Sequence, residues 1–463
     1  MRRLFASIIL IIMLLSLTCS MVGCGDQDQT QEPVVTTSLL RIGILSDIHS
    51  NTGSAFQPLE RVEKALRFFK EKGVDGVMIT GDLLDTGNTS SLLELQEVWL
   101  DVFPNNTNDL TGERVEPLFV YGNHDEVLIN EEFWFDGIGS EYEDAWIKEI
   151  KGYQFVGVHY SKEDGTEVEK LLEQAKNKSA DKPFFFAQHV AAAGTVMGGY
   201  QNWGGNKIPV QEALKKSYNC VVFTGHSHIP ITDERAIWQS NSKRDPQCTV
   251  VSCGTMYYGF LQDFSTLDIN GNKYDTQQGM YMTVDGSQVT LERYSFTDME
   301  LGYDADGKGI IDSSKVKQIG TPWTFDAMQQ KNRPYDYEDR AEEAMQPVFP
   351  DDAVLEVTEL TAKSAVLTVP AASVGAPEGF SDMVQSYYAE VTDVATGEIL
   401  LTVEIAAPYH VDREPERMGQ PVSMKLTQLE PETEYTVNVY ARECYQKESA
   451  PLTIQITTPE EDA

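Results

Sequence analysis

Positive charge is scarce in this chain: 36 lysines and arginines face 72 aspartates and glutamates across 463 residues, a formal net charge of −36. A surface of that sign repels nucleic-acid backbones, so nonspecific binding of DNA or RNA is not expected. Any attraction for a phosphate group must therefore come from a local source. Cysteine is scarce too, with six in the whole chain. Cys220 lies in an apolar run and Cys444 in a distant region, which argues against a disulfide framework. Cys220, Cys248, Cys253 and Cys444 are expected to be buried free thiols. Long apolar runs are absent beyond Leu17. The one such run, Leu4 to Leu17 behind Met1-Arg2-Arg3, is long enough for the core of a secretory signal and too short for a comfortable membrane span.

The leader ends in Met21-Val22-Gly23-Cys24, which resembles the lipobox at which bacterial lipoproteins are cleaved and acylated. The resemblance implies that Cys24 becomes the lipidated first residue of an exported protein, anchored to the membrane by lipid alone. Loss of Arg2 and Arg3 with the leader makes the mature chain more acidic still. Residues 25–38 are polar, as expected of a disordered tether.

Histidine is the third scarcity, with seven in all. Five of them fall in one ordered series: Asp47-Ile48-His49, Gly81-Asp82-Leu83-Leu84-Asp85, Gly122-Asn123-His124-Asp125, Gln188-His189, and Gly225-His226-Ser227-His228. Each motif alone is a common chance occurrence, and the order is the informative part. Short β-branched and aromatic runs precede them, at Leu39 to Leu45, Gly76 to Thr80, Pro117 to Tyr121, Pro183 to Ala187 and Cys220 to Thr224. Such runs read as strands buried on both faces. Helical periodicity lies between them in Val62, Ala65, Leu66 and Phe69, then in Leu92, Leu95, Val98 and Leu100, and in Val168, Leu171, Leu172 and Ala175. Alternating β and α elements predict an α/β fold with its site in the loops at the carboxyl ends of the strands.

Those loops offer carboxylates, an amide oxygen and five imidazoles. Hard oxygen donors mixed with imidazole suit Mn, Fe, Zn or Mg, and the absence of cysteine argues against a closed structural zinc site. Two divalent ions about 3.5 to 4 Å apart can share a water, lower its pKa and clamp the attacking and departing oxygens of a displacement. The order of the motifs resembles the calcineurin-like metallophosphoesterases over roughly residues 40 to 300. The resemblance implies a four-layer α/β/β/α sandwich that hydrolyses phosphate esters with a metal-bound hydroxide. It implies that Asp47, His49 and His228 hold one metal, that Asn123, His189 and His226 hold the other, and that Asp82 bridges them. His124 is left as the general acid, its imidazole oriented by Asp125. Purple acid phosphatases carry tyrosine at the last position of the second motif, where this chain has Asp85, so a ferric tyrosinate is not expected. Asp85 is instead expected to be an acceptor behind the ligands or a structural contact, and not a ligand. His159 matches no motif and is read as structural, while His410 lies outside the catalytic region.

Beyond residue 346 the pattern alternates apolar and polar over short stretches, as in Val354 to Val357, Ala365 to Val369, Tyr387 to Val391 and Ile399 to Val403. The run from Leu429 to Ala441 resembles the fibronectin type III signature L-x-P-x-T-x-Y-x-V-x-V-x-A, with Tyr435 as its corner tyrosine. This implies a small all-β sandwich acting as a spacer or as a contact for cell wall, protein or glycan. The expected layout is a signal at 1–23, a tether at 24–38, a phosphoesterase domain at 39–300, a linker or extension at 301–345, and the β domain at 346–459. Within the extension, Asp304 to Gly307 reads as a solvated turn, and Trp323 and Phe325 are expected to pack back onto the catalytic domain.

The substrate stays open among phosphomonoesters, phosphodiesters and wall or lipid phosphates. Trp134, Phe135, Tyr200, Asn202 and Trp203 either stack on it or cover the core beneath long loops. The alternative to an enzyme is a surface ligand-binding or adhesion lipoprotein that uses the same fold as a scaffold.

Overall fold

The computed structural model describes residues 39–51, 58–86, 89–125, 145–160, 166–192, 194–196, 208–259, 274–407 and 419–461. Cys24 with its leader and tether, the aromatics Trp134, Phe135, Tyr200 and Trp203, Asn202, and His410 lie outside the described residues. No helix among the described residues is long and apolar enough to cross a membrane.

The amino-terminal half alternates strand and helix as its hydrophobic periods predict. Strand β1 (Leu40–Leu45), helix α1 (Pro58–Glu71), β2 (Gly76–Thr80), α2 (Thr89–Val102) and β3 (Glu116–Val120) form a parallel β1-β2-β3 unit. Side chains alternate across it. Ile42, Ile44, Met78, Leu118 and Val120 enter the core between the sheets, while Val77, Ile79 and Phe119 pack with α1 and α2 side chains such as Phe69, Leu95 and Trp99. A second sheet follows with β4 (Ala145–Ile150), β5 (Tyr153–Val158), helix α3 (Thr166–Lys178), β6 (Phe184–Ala187), helix α4 (Ile208–Lys215), β7 (Cys220–Thr224), β8 (Ile237–Trp238) and β9 (Thr249–Ser252). Its order is 4-5-6-7-9-8, parallel in the middle and antiparallel at both edges.

After the short pair β10 (Tyr258–Gly259) and β11 (Tyr274–Asp275), the chain returns as β12 (Gln278–Asp285) and β13 (Gln288–Ser295). β12 lies antiparallel on β1, with Leu40 opposite Val284, and closes the first sheet on that side. Both sheets share one core and carry helices outside, the expected four layers. Cys220, Cys248, Cys253 and Cys444 are free and buried.

Residues 301–345 do more than connect two domains. Lys317–Gln318 and Trp323–Asp326 both pair with β13 and widen the first sheet, which buries Trp323 and Phe325 as expected. The Asp304 loop is a turn: Asp304 Oδ1 accepts the Asp306 and Lys308 amides, each at 2.9 Å.

The carboxyl-terminal domain is a sandwich of three strands (Glu356–Leu360, Ser364–Val369, Val422–Thr427) on four (Ile399–Ala406, Val384–Asp393, Glu434–Glu443, Leu452–Thr457). Its first strand begins two residues later than the sequence pattern, leaving Val354 exposed. Tyr435 is fully buried, and its hydroxyl accepts the Glu430 amide at 2.8 Å, closing the tyrosine corner. Tyr435→Phe is therefore expected to cost about 1 kcal/mol in urea unfolding while leaving hydrolysis unchanged. A change in turnover at equal stability would contradict a purely structural role.

Candidate metal centre

Each histidine motif leaves the carboxyl end of a strand: Asp47 and His49 follow β1, Asp82 follows β2, Asn123 to Asp125 follow β3, His189 follows β6, and His226 and His228 follow β7. The loops are laced by their backbones. The Asp47 amide donates to the Gly81 carbonyl at 3.1 Å, His49 to Asp82 at 3.0 Å, and Gly225 to His189 at 2.9 Å. Asp47, His49, Asp82, His226 and His228 all hold left-handed backbone, with φ between 49° and 68°. Non-glycine residues adopt it at a cost of order 1–3 kcal/mol each, a strain that clusters at functional sites.

Glycine is needed where the loops touch. A Cβ on Gly81 would meet His189 Nδ1 at 2.2 Å, and one on Gly122 would meet Asp82 Oδ1 at 2.1 Å.

The structure brings the candidate ligands together in two buried groups that share Asp82. One is Asp47, His49, Asp82 and His228, and the other is Asp82, His189 and His226. Asn123 joins the second group, its Oδ1 lying 3.1 Å from His189 Nε2. Hydrogen bonds set the imidazole tautomers. His189 Nδ1 donates to the Thr80 carbonyl at 2.8 Å and His228 Nδ1 to the Tyr258 carbonyl at 2.9 Å, while His49 Nδ1 faces the Asp85 carboxylate at 3.3 Å. In each neutral ring the Nε2 lone pair then points inward, the arrangement that outer partners impose on metal-binding histidines.

His49 Nε2 and His228 Nε2 lie 3.0 Å apart, with Asp47 Oδ1 3.2 Å from the latter and Asp82 Oδ2 3.6 Å from the former. Converging lone pairs of this kind repel one another unless a cation lies among them. The donor set of carboxylate, amide oxygen and imidazole therefore fits divalent metal. The buried carboxylates and imidazoles also act strongly on one another. Despite full burial, His228 and His189 hold the Asp47 carboxyl below the usual range, and despite burial, His189 and His49 do the same for Asp82. Burial pulls His189 down, yet the Asp82 carboxylate outweighs it and raises the imidazole to about 10. Burial and the nearby His189 push His226 down to about 4.

The expectation that Asp125 orients His124 is corrected. The buried Asp125 carboxylate accepts backbone amides from Gly122 at 2.7 Å, Leu84 at 2.8 Å and Leu83 at 3.2 Å, so it ties the second and third motif loops together. Burial and the adjacent Asp82 charge push its carboxyl up to about 8, against those three donors. The His124 ring is held by the Asp85 backbone carbonyl, which accepts from Nδ1 at 2.7 Å, and His124 is exposed at the mouth of the site. Asp85 thus serves two histidines, His49 through its carboxylate and His124 through its carbonyl. His159 is buried beneath the third motif, where its Nδ1 accepts the Tyr121 amide at 2.8 Å and its ring stacks on Tyr121.

Sequence reasoning missed the loop after β9. Thr255 Oγ1 donates to the Asp47 carbonyl at 3.2 Å, and Tyr257 stacks on His49 with centroids 5.1 Å apart. The Tyr258 ring lies 4.7 Å from that of His228. Arg61 braces this loop from α1, donating to the Met256 and Tyr257 carbonyls at 3.1 and 2.9 Å. No motif marks these residues; the signal available was their place at another strand end.

A family comparison points the same way. The calcineurin-like phosphoesterase family matches residues 40–230. Among solved structures the chain is similar to vacuolar protein sorting 29 from Cryptosporidium parvum, at 13% identity over 62% of this chain and 98% of that one, with a TM-score of 0.31. It is also similar to the FN5 domain of Drosophila Lar, at 17% identity over 24% of this chain and 98% of that one, with a TM-score of 0.15. No match was found among curated proteins. Residues 40–230, with their buried cluster of aspartates and histidines, thus match the calcineurin-like phosphoesterase family.

Proposed function

We propose that the chain hydrolyses small phosphate esters at a dinuclear metal centre. The observation that carries this reading is Asp82, the one carboxylate common to both buried ligand groups. Asp47, His49 and His228 would hold one cation, Asn123, His189 and His226 the other, and Asp82 both. When bound, two divalent ions of the Mn, Fe, Zn or Mg kind supply Lewis acidity and make water a nucleophile near neutral pH.

The chain's own residues do the rest. Asp85 and the Thr80 and Tyr258 carbonyls hold the imidazoles so that Nε2 faces the cluster. Asp125 keeps the loops in register by gathering their amides. His124 is accessible, and because its Nδ1 donates to a carbonyl, its Nε2 can carry a proton to the departing oxygen. Tyr257 and Tyr258 flank the first ligand group and form one wall of the site.

The test is hydrolysis of an aryl phosphomonoester and an aryl phosphodiester by the chain from residue 25, stripped of metal and reloaded separately with Mn, Zn, Fe and Mg. Activity that returns with metal supports the reading, and its ratio between the two esters assigns the substrate class. Inactivity with every bound metal contradicts it.

The same proposal places the enzyme outside the cytoplasm, tethered by lipid on Cys24. Its support is the apolar run Leu4 to Leu17 and the small residue Gly23 before the cysteine. Cys24→Ser is expected to move the protein from the membrane fraction to the soluble fraction. Continued sedimentation with membranes would rule out the lipid anchor.

A further inference from the structure

The β sandwich reaches the loop that carries His226 and His228. Immediately after His228, the segment from Ile229 to Arg235 runs between the two domains, with Ile229, Ile231, Thr232 and Asp233 fully buried. On the catalytic side the Ile231 amide donates to Gln278 Oε1 at 2.8 Å, and the Ile231 carbonyl accepts from Arg293 at 2.8 Å. Arg293 also binds Glu234 at 2.8 Å, as does the Trp323 indole. On the other side, Gln385 of the β sandwich donates from Nε2 to Asp233 Oδ2 at 3.0 Å, and both side chains are almost wholly inaccessible. Asp233 caps the turn at Glu234–Ala236, accepting the Arg235 amide at 2.9 Å and pairing with its guanidinium at 2.7 Å. Gln385 is in turn steadied by Gln446 at 3.2 Å.

We infer that the β domain is a positioning element of the metal centre: through Gln385 it fixes the Asp233 carboxylate, and through the buried segment Ile229–Arg235 it fixes His226 and His228. This rests on the dinuclear reading above. A passive spacer needs no buried polar bond five residues from a ligand. Here the docking bond falls on the carboxylate that caps the turn ending the ligand loop, so a displaced Gln385 leaves that loop with one anchored side in place of two. Other contacts dock the domain without touching this segment. Lys447 Nζ donates to the Glu342 carbonyl at 2.8 Å and to that of Ala344 at 2.5 Å. Lys447→Met therefore perturbs docking alone.

The experiment titrates stripped protein with Mn²⁺ and follows free Mn²⁺ by electron paramagnetic resonance, with kcat and KM measured alongside. Gln385→Met removes the donor at nearly constant volume, and Gln385→Glu sets a carboxylate against Asp233. Both are expected to raise the Mn²⁺ dissociation constant about tenfold, in the range seen when partners behind a ligand are lost. The fall in kcat/KM should be reversed by excess Mn²⁺. Lys447→Met is expected to stay within about twofold of the parent. If Gln385→Met and Gln385→Glu fail to fold, the milder Gln385→Asn, which withdraws the amide, carries the same expectation. Mn²⁺ affinity unchanged in the folded Gln385 variants, or weakened equally by Lys447→Met, would overturn the positioning role alone. A parent chain that takes up no Mn²⁺ would overturn the dinuclear reading, and this inference with it.

Discussion

Asp82→Ala is expected to remove both cations and to lower turnover by at least about 10³-fold, because it forfeits two Lewis acids worth several kcal/mol of transition-state stabilisation. Its Oδ2 lies 3.3 Å from His189 Nε2 and 3.6 Å from His49 Nε2, between the two ligand groups. Its Oδ1 also accepts the His124 amide at 3.0 Å, so the same substitution loosens the third motif loop. Metal analysis of the purified variant separates these effects. Near-zero metal with a folded chain is the predicted result. Retention of two full equivalents would mean that Asp82 does not bridge.

His124→Ala is expected to do the reverse: metal content stays at the parent level while turnover falls by about 10² to 10⁴, the contribution typical of a positioned proton donor. The ring is exposed and sits edge-on to His49, with centroids 4.8 Å apart, so it reaches the cluster without filling it. Loss should be greatest for esters whose leaving alcohols are poor, since these need the proton most. Equal losses for good and poor leaving groups would reassign His124 to binding phosphoryl charge. Unchanged turnover on a poor leaving group would remove it from the mechanism.

The parts legible in the sequence were those written in hydrophobic period and strand-end chemistry. The Gly76–Thr80 and Cys220–Thr224 strands have the ends that their β-branched runs predicted, and the motifs leave those ends as expected. Asp47, His49, Asp82, Asn123, His189, His226 and His228, which the resemblance of the ordered motifs to the calcineurin-like phosphoesterases implied as ligands, lie together at the strand ends. Asp125 was misread because its partners are backbone amides of Gly122, Leu83 and Leu84, and a main-chain donor leaves no trace in residue identity. The partner of His124 is a carbonyl, hidden for the same reason. Lys317–Gln318 and Trp323–Asp326 are too short to show a strand period, so the extension of the first sheet was invisible. Asp233 and Gln385 are 152 positions apart, and nothing local to either announces the other.

The central claim is that one buried carboxylate joins two cation sites. Anomalous diffraction from crystals grown with Mn²⁺ tests it most directly. The account predicts two peaks about 3.5 to 4 Å apart, one among Asp47, His49, Asp82 and His228, the other among Asp82, Asn123, His189 and His226. A single peak at saturating Mn²⁺, or none within reach of Asp82, would contradict it.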